Sequence, residues 1–278
     1  MDHAFLRFPG FKDKALTLSY DDGVVQDERL IEIMTRYGLK GTFNLNSELF
    51  ADRPQGRRLT KEQALALYIP SGNEVAVHGA RHLSLAETDS GVGTYEIISD
   101  RKNLETMFGC VVKGMAYANG SYNDSVVETV RVCGIAYART TVSTGDFRIP
   151  DDWLRMPATC HHRDARLMEY AEKFLTPADP GAYFWRQTPR LFYLWGHSYE
   201  FDDNDNWDVI QRFAARVGNR DDVWYATNGE IYEYVEAYRR LDFAADFTKV
   251  YNPSAKDVYI RHFGGNAVIP AGRTVQLT

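Results

Sequence analysis

A chain of 278 residues that is 44% apolar and 25% charged can bury a full core, as one large domain or two small ones. Its net charge of -6, with no concentrated Lys/Arg block, argues against a nucleic-acid surface, and no apolar run reaches the length of a membrane span. Met1-Asp-His-Ala-Phe-Leu-Arg lacks a charged n-region ahead of a greasy h-region, so no signal peptide is expected and the location implied is cytoplasmic.

Seven short apolar runs recur along the chain, at 15–20, 42–45, 74–77, 114–117, 135–138, 191–195 and 223–226. Each is followed by a loop and usually by a helical pattern. The first run alternates like a strand and ends abruptly in Asp21-Asp22-Gly23. Leu30, Ile33, Met34 and Tyr37 then recur at helical spacing, and Gly38 supplies the stop. Thr60 with Gln63 forms a capping box before Leu65 and Leu67. Asn123 precedes Val126, Val127 and Val130, with Gly134 as the stop. Trp207, Ile210, Phe213 and Val217 make another apolar face, and Thr227 with Glu230 opens the helix that carries Ile231, Tyr234 and Tyr238.

Strands alternating with helices imply a parallel sheet with crossovers, and seven such units suit a closed or nearly closed barrel. The expected fold class is therefore α/β, a (β/α) barrel over residues 1–241. After about Leu241 the pattern changes. The runs 247–251, 258–261 and 274–277 are separated by Asn252-Pro253, Gly264-Gly265 and Pro270-Ala271-Gly272, which is turn chemistry. A small β appendage over 242–278, packed on the barrel, is expected.

The chemistry collects at strand ends. Asp21 and Asp22 place two carboxylates side by side, and their repulsion calls for a counter-charge unless they form a simple surface turn. In a parallel barrel every strand-to-helix loop emerges at the C-terminal mouth. The third run delivers His78-Gly-Ala-Arg-His82 to that rim, and the sixth delivers Gly196-His197-Ser-Tyr-Glu200. Residues spaced i, i+4 share one face of a helical turn, so His78 and His82 could grip one ion. Two His and one Asp leave open positions on a divalent metal, as in catalytic sites. Zinc is the first candidate, and Co, Ni, Fe and Mn suit the same donors.

Other residues read more blandly. Cys110, Cys133 and Cys160 are odd in number and lack CxxC spacing, so reduced thiols are expected. Cys160-His161-His162 reads as a loop with one useful histidine, because adjacent side chains diverge. Glu200, Asp202, Asp203 and Asp205 read as a solvated acidic loop, with Glu200 close enough to His197 to have a role at the site. His3 and His262 read as surface residues.

Tyr20-Asp21-Asp22-Gly23, His78-x-x-x-His82 and Leu194-Trp-Gly-His197 together resemble, in order, motifs of the polysaccharide deacetylase family of carbohydrate esterases. The resemblance spans roughly residues 8–241. It implies a distorted seven-unit barrel and a metal-dependent hydrolase that removes acetyl groups from N-acetylated or O-acetylated sugars or oligosaccharides. It also implies that Asp22, His78 and His82 hold one divalent ion, that Asp21 is the general base and that His197 is the general acid. The sequence departs from the family at Met115-Ala-Tyr-Ala-Asn-Gly120. There the expected arginine, proline and tyrosine are Ala116, Ala118 and Asn119. Asn119 still offers a backbone N–H to an oxyanion. Arg139 and Arg163 are the candidates to replace the arginine, which in the family orients the catalytic aspartate. Asp151-Asp152-Trp153 only suggests the family's fourth motif. Tyr117, Trp195, Tyr199, Glu200 and Arg139 are the expected substrate contacts.

Two other readings stand beside this one. One is hydrolysis of a non-sugar amide, including a cyclic one, on the same fold. The other is a non-catalytic carbohydrate-binding protein. The expected partner is an acetylated sugar or small amide, with no nucleic acid and no membrane, and a homo-oligomer is left open.

Overall fold

The structure is a computed structural model, and it describes residues 4–177, 188–262 and 265–277. His3 and the Gly264 half of one expected turn lie outside the described residues. From the N-terminus, the elements are β1 (Phe5–Arg7), β2 (Lys14–Asp21), α1 (Asp27–Arg36), β3 (Gly41–Leu45), α2 (Lys61–Ser71) and β4 (Glu74–Val77). Next come α3 (Ser90–Phe108), β5 (Gly114–Ala116), α4 (Asp124–Val132), β6 (Tyr137–Ser143), β7 (Met156–Ala158), β8 (Cys160–His161) and α5 (Leu167–Leu175). Then follow β9 (Arg190–Gly196), α6 (Tyr199–Asp203), α7 (Asp208–Val217), β10 (Val223–Tyr225) and α8 (Asn228–Arg239). The chain ends in β11 (Asp242–Phe243), β12 (Lys249–Tyr251), β13 (Val258–His262), β14 (Gly265–Ile269) and β15 (Thr274–Gln276).

Strands β2 to β10 form one parallel sheet in the order β7-β6-β5-β4-β3-β2-β9-β8, with β10 added on β2. β7 pairs with β6 while β8 pairs with β9, and only Thr159 separates β7 from β8. The segment 156–161 therefore acts as one stave that joins the two ends of the sheet. Thr159 N–H bonds Tyr193 O, and Gly145 N–H bonds Thr159 O, so the junction is hydrogen-bonded on both sides. The result is a nearly closed, distorted (β/α) barrel.

Among the described residues there are seven staves, but one differs from the sequence expectation. Run 223–226 does not form a stave of its own: β10 pairs only with the lower half of β2, opposite Lys14, Ala15 and Leu16. The seventh place belongs to 156–161, which Pro157 and its short length disguised. The run expected at 135–138 starts later, at Tyr137, and continues through Thr140, Thr141 and Val142, whose β-branched side chains favour extended backbone. Helix α3 was also not legible, because Gly91 and Gly93 and scattered polar residues break its apolar face. Both capping boxes are present, Thr60 with Gln63 and Thr227 with Glu230.

The main core lies between the sheet and helices α1 to α5 and α7, and includes Leu16, Leu18, Phe43, Ile97, Phe192 and Phe213. The terminal strands make two smaller sheets, β1-β13-β14 and β11-β12-β15. The appendage is thus not built from 242–278 alone: β1, from the N-terminus, pairs antiparallel with β13. Helix α8 holds both, since Tyr234 Oη donates to Arg7 O and accepts from Tyr259 N–H.

Candidate active site

Register alone brings the rim residues together. Tyr20 lies opposite Phe43 on β3 and Gly196 on β9, so Asp21 faces Asn44 on one side and comes level with His197 on the other. Leu45 lies opposite Val77, the last residue before His78, and Ala116 lies opposite Arg139. Five strand ends therefore supply one ring of polar side chains.

Asp21 is 2% exposed and fully engaged. Arg139, itself 1% exposed, donates from one guanidinium nitrogen to Oδ2, and Asn44 donates to Oδ1 at 2.8 Å. Burial pushes the Asp21 carboxyl up, but Arg139, His78, His197 and the Asn44 amide outweigh it and bring it down to about 2. Of the two arginines the sequence offered to hold Asp21, it is Arg139, reaching it from β6, that does so. It is not a substrate contact: the side chain is sealed between Asp21 and the Trp195 ring, 4.3 Å from that ring's centroid. Arg163 lies elsewhere, 3.3 Å from Glu200 Oε1.

Asp22, His78 and His82 offer donor atoms that all lie within 4.8 Å of one another. His78 and His82 do not converge by sharing one face of a helical turn. Residues 78–82 form an irregular turn in which Gly79 (φ 80) and His82 (φ 62) take left-handed backbone, and Asp22 does the same at φ 88. Non-glycine residues seldom adopt this region, and such strain is concentrated at functional sites. The turn is pinned from outside. Glu96 accepts the Arg81 N–H, Asp100 accepts the His78 N–H at 3.0 Å, and Asn46 donates to the carbonyls of His78 and Gly79. Arg58 donates to Asp22 O and sits 3.2 Å from Asp22 Oδ1. Glu96, Asp100, Asn46 and Arg58 were not foreseen. The available signal was Glu96 and Asp100 four apart on one helix, on the same face as Leu104.

The tautomer of His78 decides what this cluster can hold. Its Nδ1 is 2.9 Å from Ala116 O, and a carbonyl only accepts, so Nδ1 carries the hydrogen. Nε2 is left with a lone pair, buried and without a hydrogen-bond partner, 3.8 Å from Asp21 Oδ2. A buried, unsatisfied imidazole nitrogen facing an aspartate and a second histidine fits a divalent cation. The Nδ1 bond to a carbonyl is also the outer contact that ligating histidines commonly have.

A second group of side chains gathers opposite. His197 Nε2 is 3.8 Å from Asp21 Oδ2, and its Nδ1 is 3.5 Å from Glu200 Oε2. The same oxygen lies 3.2 Å from His161 Nε2 and 3.1 Å from His162 Nε2. Burial opposes ionisation of Glu200, but these three imidazoles outweigh it and hold the carboxyl far below its ordinary range. Burial works against the His197 imidazolium too, yet Glu200, Asp21 and Asp22 raise it above the ordinary value. His162 is different: packed in a stack between Tyr20 and Phe201, it is brought down to about 4 by burial.

This arrangement corrects several expectations. Cys160-His161-His162 is not a loop. Cys160 and His161 form β8, which points the Cys160 thiol into the core, where burial pushes it up to about 12, and turns His161 toward the rim. Glu200 is not solvated, because its side chain is only 14% exposed. Tyr117 does not reach a substrate: it is buried against Tyr122 and donates to Leu154 O. Trp195 is a wall rather than a platform, with Arg139 on its face and His161 at its edge. Tyr199 stays at the cleft margin, 5.2 Å from the His197 ring and capped by Arg57. Trp153 bonds Glu236 on α8 and Asp152 caps a short turn, so neither joins this ring. Asn119 is exposed with φ 56, three residues beyond the carbonyl that holds His78. His262 lies on β13 in the appendage.

Among described residues, no helix is long and apolar enough to cross a membrane. The polysaccharide deacetylase family matches residues 9–138. Among solved structures, a proposed polysaccharide deacetylase from Mycobacterium smegmatis is 17% identical, covering 86% of this chain and 96% of that one with a TM-score of 0.59. The Puue allantoinase is 14% identical, covering 81% and 91% with a TM-score of 0.60. A deacetylase from Streptococcus pyogenes in complex with acetate is 21% identical, covering 50% and 62% with a TM-score of 0.45. The chain thus spans less than two thirds of that deacetylase's length. No curated protein matches the sequence. At these identities the structural likenesses establish the fold.

Proposed function

We propose that this chain, whose residues 9–138 match the polysaccharide deacetylase family, is a divergent member of it and a metal-dependent hydrolase removing acetyl groups from N-acetylated or O-acetylated sugars or oligosaccharides. The observation that carries this reading is the pairing at one rim of Asp21, gripped by Arg139 and Asn44, with the Asp22-His78-His82 donor set. His197 faces Asp21 from the other side.

Asp22, His78 and His82 would hold one divalent ion, with zinc the first candidate. When bound there, that ion supplies Lewis acidity toward the acyl oxygen and the attacking water. The chain's own groups do the rest. Asp21 takes the proton from the attacking water, and Arg139 and Asn44 fix the carboxylate so that one oxygen faces the cleft. The clamp that lowers Asp21 also favours its ionised form. Asn119 offers its backbone N–H to the oxyanion, a contribution on the order of 3 kcal/mol for one well-placed donor. His197 Nε2 delivers a proton to the departing amine or alkoxide.

The test is metal analysis of the purified protein together with acetate release from a panel of soluble N- and O-acetylated sugars. About one divalent ion per chain and acetate release support the reading. Bound metal with no acetate release, but turnover of cyclic amides, would replace it with the amide reading. Sugar binding without metal or turnover would replace it with the binding-protein reading.

A further inference from the structure

Among the described residues, the rim carries two clusters of metal-ligand composition. Besides Asp22, His78 and His82, the donor atoms of His161, His197 and Glu200 also lie within 4.8 Å of one another. Two His and a Glu is a familiar zinc-binding set, so composition alone would place a second cation there. The hydrogen-bond pattern distinguishes the two clusters.

In the first, a carbonyl fixes the proton of His78 on Nδ1 and leaves Nε2 free to ligate. In the second the polarity is reversed. The backbone N–H of Arg163 donates to His161 Nδ1 at 3.1 Å, so Nδ1 holds the lone pair and the neutral ring carries its hydrogen on Nε2. Nε2 lies 3.2 Å from Glu200 Oε2. To bind a cation, His161 Nε2 would have to give up this hydrogen to Nδ1, where it would meet the Arg163 N–H head on. Glu200 is instead ringed by imidazole nitrogens and a guanidinium. His161, His162 and His197 lie within 3.5 Å of Oε2, and Arg163 sits 3.3 Å from Oε1. His162 Nε2, His197 Nδ1 and Glu200 Oε2 are all buried without an in-line hydrogen-bond partner, and Oε2 lies 3.1 Å and 3.5 Å from the two nitrogens.

We propose that Glu200 is the positioning residue for His197, and that the His161-His197-Glu200 cluster is held by protons on its imidazoles rather than by a cation. Glu200 draws the His197 hydrogen onto Nδ1 and so leaves Nε2 as the atom that exchanges a proton with the cleft, on the Asp21 side. The inference rests on the deacetylase reading only in taking His197 as the proton donor to the leaving group.

The test uses the full-length protein loaded with zinc. Imidazole 15N NMR of histidine-labelled wild type is expected to show His197 and His161 protonated on Nδ1 and Nε2 respectively, with one zinc per chain. In Glu200→Leu, His197 is expected to lose its Nδ1–H preference while zinc stays at one per chain. On an acetylated sugar that the wild type turns over, kcat is expected to fall about 10- to 100-fold with KM unchanged, and Glu200→Gln, which keeps an acceptor, is expected to recover part of it. Two zinc ions in the wild type falling to one in Glu200→Leu would overturn the proposal. So would a wild-type His197 unprotonated at Nδ1, or an unchanged kcat in the variant. Should Glu200→Leu not fold, Glu200→Ala, which also removes the acceptor, carries the same readings. The NMR and metal readings need no substrate. Expected tautomers without acetate release would therefore count against the deacetylase reading and leave this one standing.

Discussion

At the scale of single residues, the site depends on buried charges that compensate each other. Asp21 and Arg139 are 2% and 1% exposed and form a direct ion pair. Removing one partner of a buried pair leaves the other desolvated, a loss of about 3–5 kcal/mol. Arg139→Leu should therefore destabilise the fold by that order in a urea titration, and a change under 1 kcal/mol would show that Asp21 is held by other means. Asp21→Asn keeps the shape and should retain the metal, while turnover drops about 10²- to 10⁴-fold. Wild-type rates in that variant would remove Asp21 as the base. Asp27 makes a separate pH prediction. Burial raises its carboxyl to about 7, against hydrogen bonds from Ser198, Tyr68 and the Val24 N–H. Its folded value lies above the ordinary ~3.9 of an unfolded aspartate. Between about pH 4 and pH 7 the folded protein thus keeps a proton that the unfolded chain has released. Stability from this group falls as pH rises through that window, by up to about 1.4 kcal/mol per unit. Asp27→Asn should flatten the slope, as read from denaturation midpoints at pH 4.5 and 7.

At the scale of elements, each strand end delivers a short, strained segment rather than a regular one. Asp22, His82 and Asn119 all have left-handed backbone at the rim. Gly196 shows how tightly β9 meets the 156–162 segment: a Cβ there would overlap the His162 ring. Gly196→Ala should displace His162 from its stack on Tyr20 and Phe201, costing about 1–3 kcal/mol as an overpacking change. Denaturation curves with an unchanged midpoint would show that the ring has room to move. The elements most legible in the sequence were those with local signals. The two capping boxes and the Asn123 cap identify α2, α8 and α4 by hydrogen bonds made within four residues. The stave 156–161 has no such signal, because its identity comes from pairing with β6 and β9 on both sides.

At the scale of the whole molecule, the chain termini are fastened to the barrel through α8. Tyr234 and Tyr238 reach Arg7 and Ala4 near the N-terminus, and Tyr234 also takes the Tyr259 N–H on β13. Ala237 and Leu241 share a core with Val250, Val258, Ile260 and Ile269. Barrel and appendage are therefore expected to melt in one transition, and Tyr234→Phe should lower its stability by about 1–3 kcal/mol by leaving the buried Arg7 carbonyl and the part-buried Tyr259 N–H without this partner. Two resolved transitions in calorimetry would show instead that the appendage is an independent unit.

Local order in the chain determined which strands end in carboxylates and histidines, and which helices begin at a cap. Asp21, Asp22, His78, His82 and His197 could be picked out because each falls within five residues after an apolar run whose strand pairing carries that segment to the rim. What the tertiary structure decided is everything that depends on two distant segments meeting. Arg139 comes to Asp21 across 118 positions of sequence, and His161, His162 and Glu200 converge only because the 156–161 stave lies against β9. No spacing rule encodes such contacts, since register and barrel closure set them. The proton positions on His78 and His161 depend on the same packing, through a carbonyl from β5 in one case and a turn amide in the other.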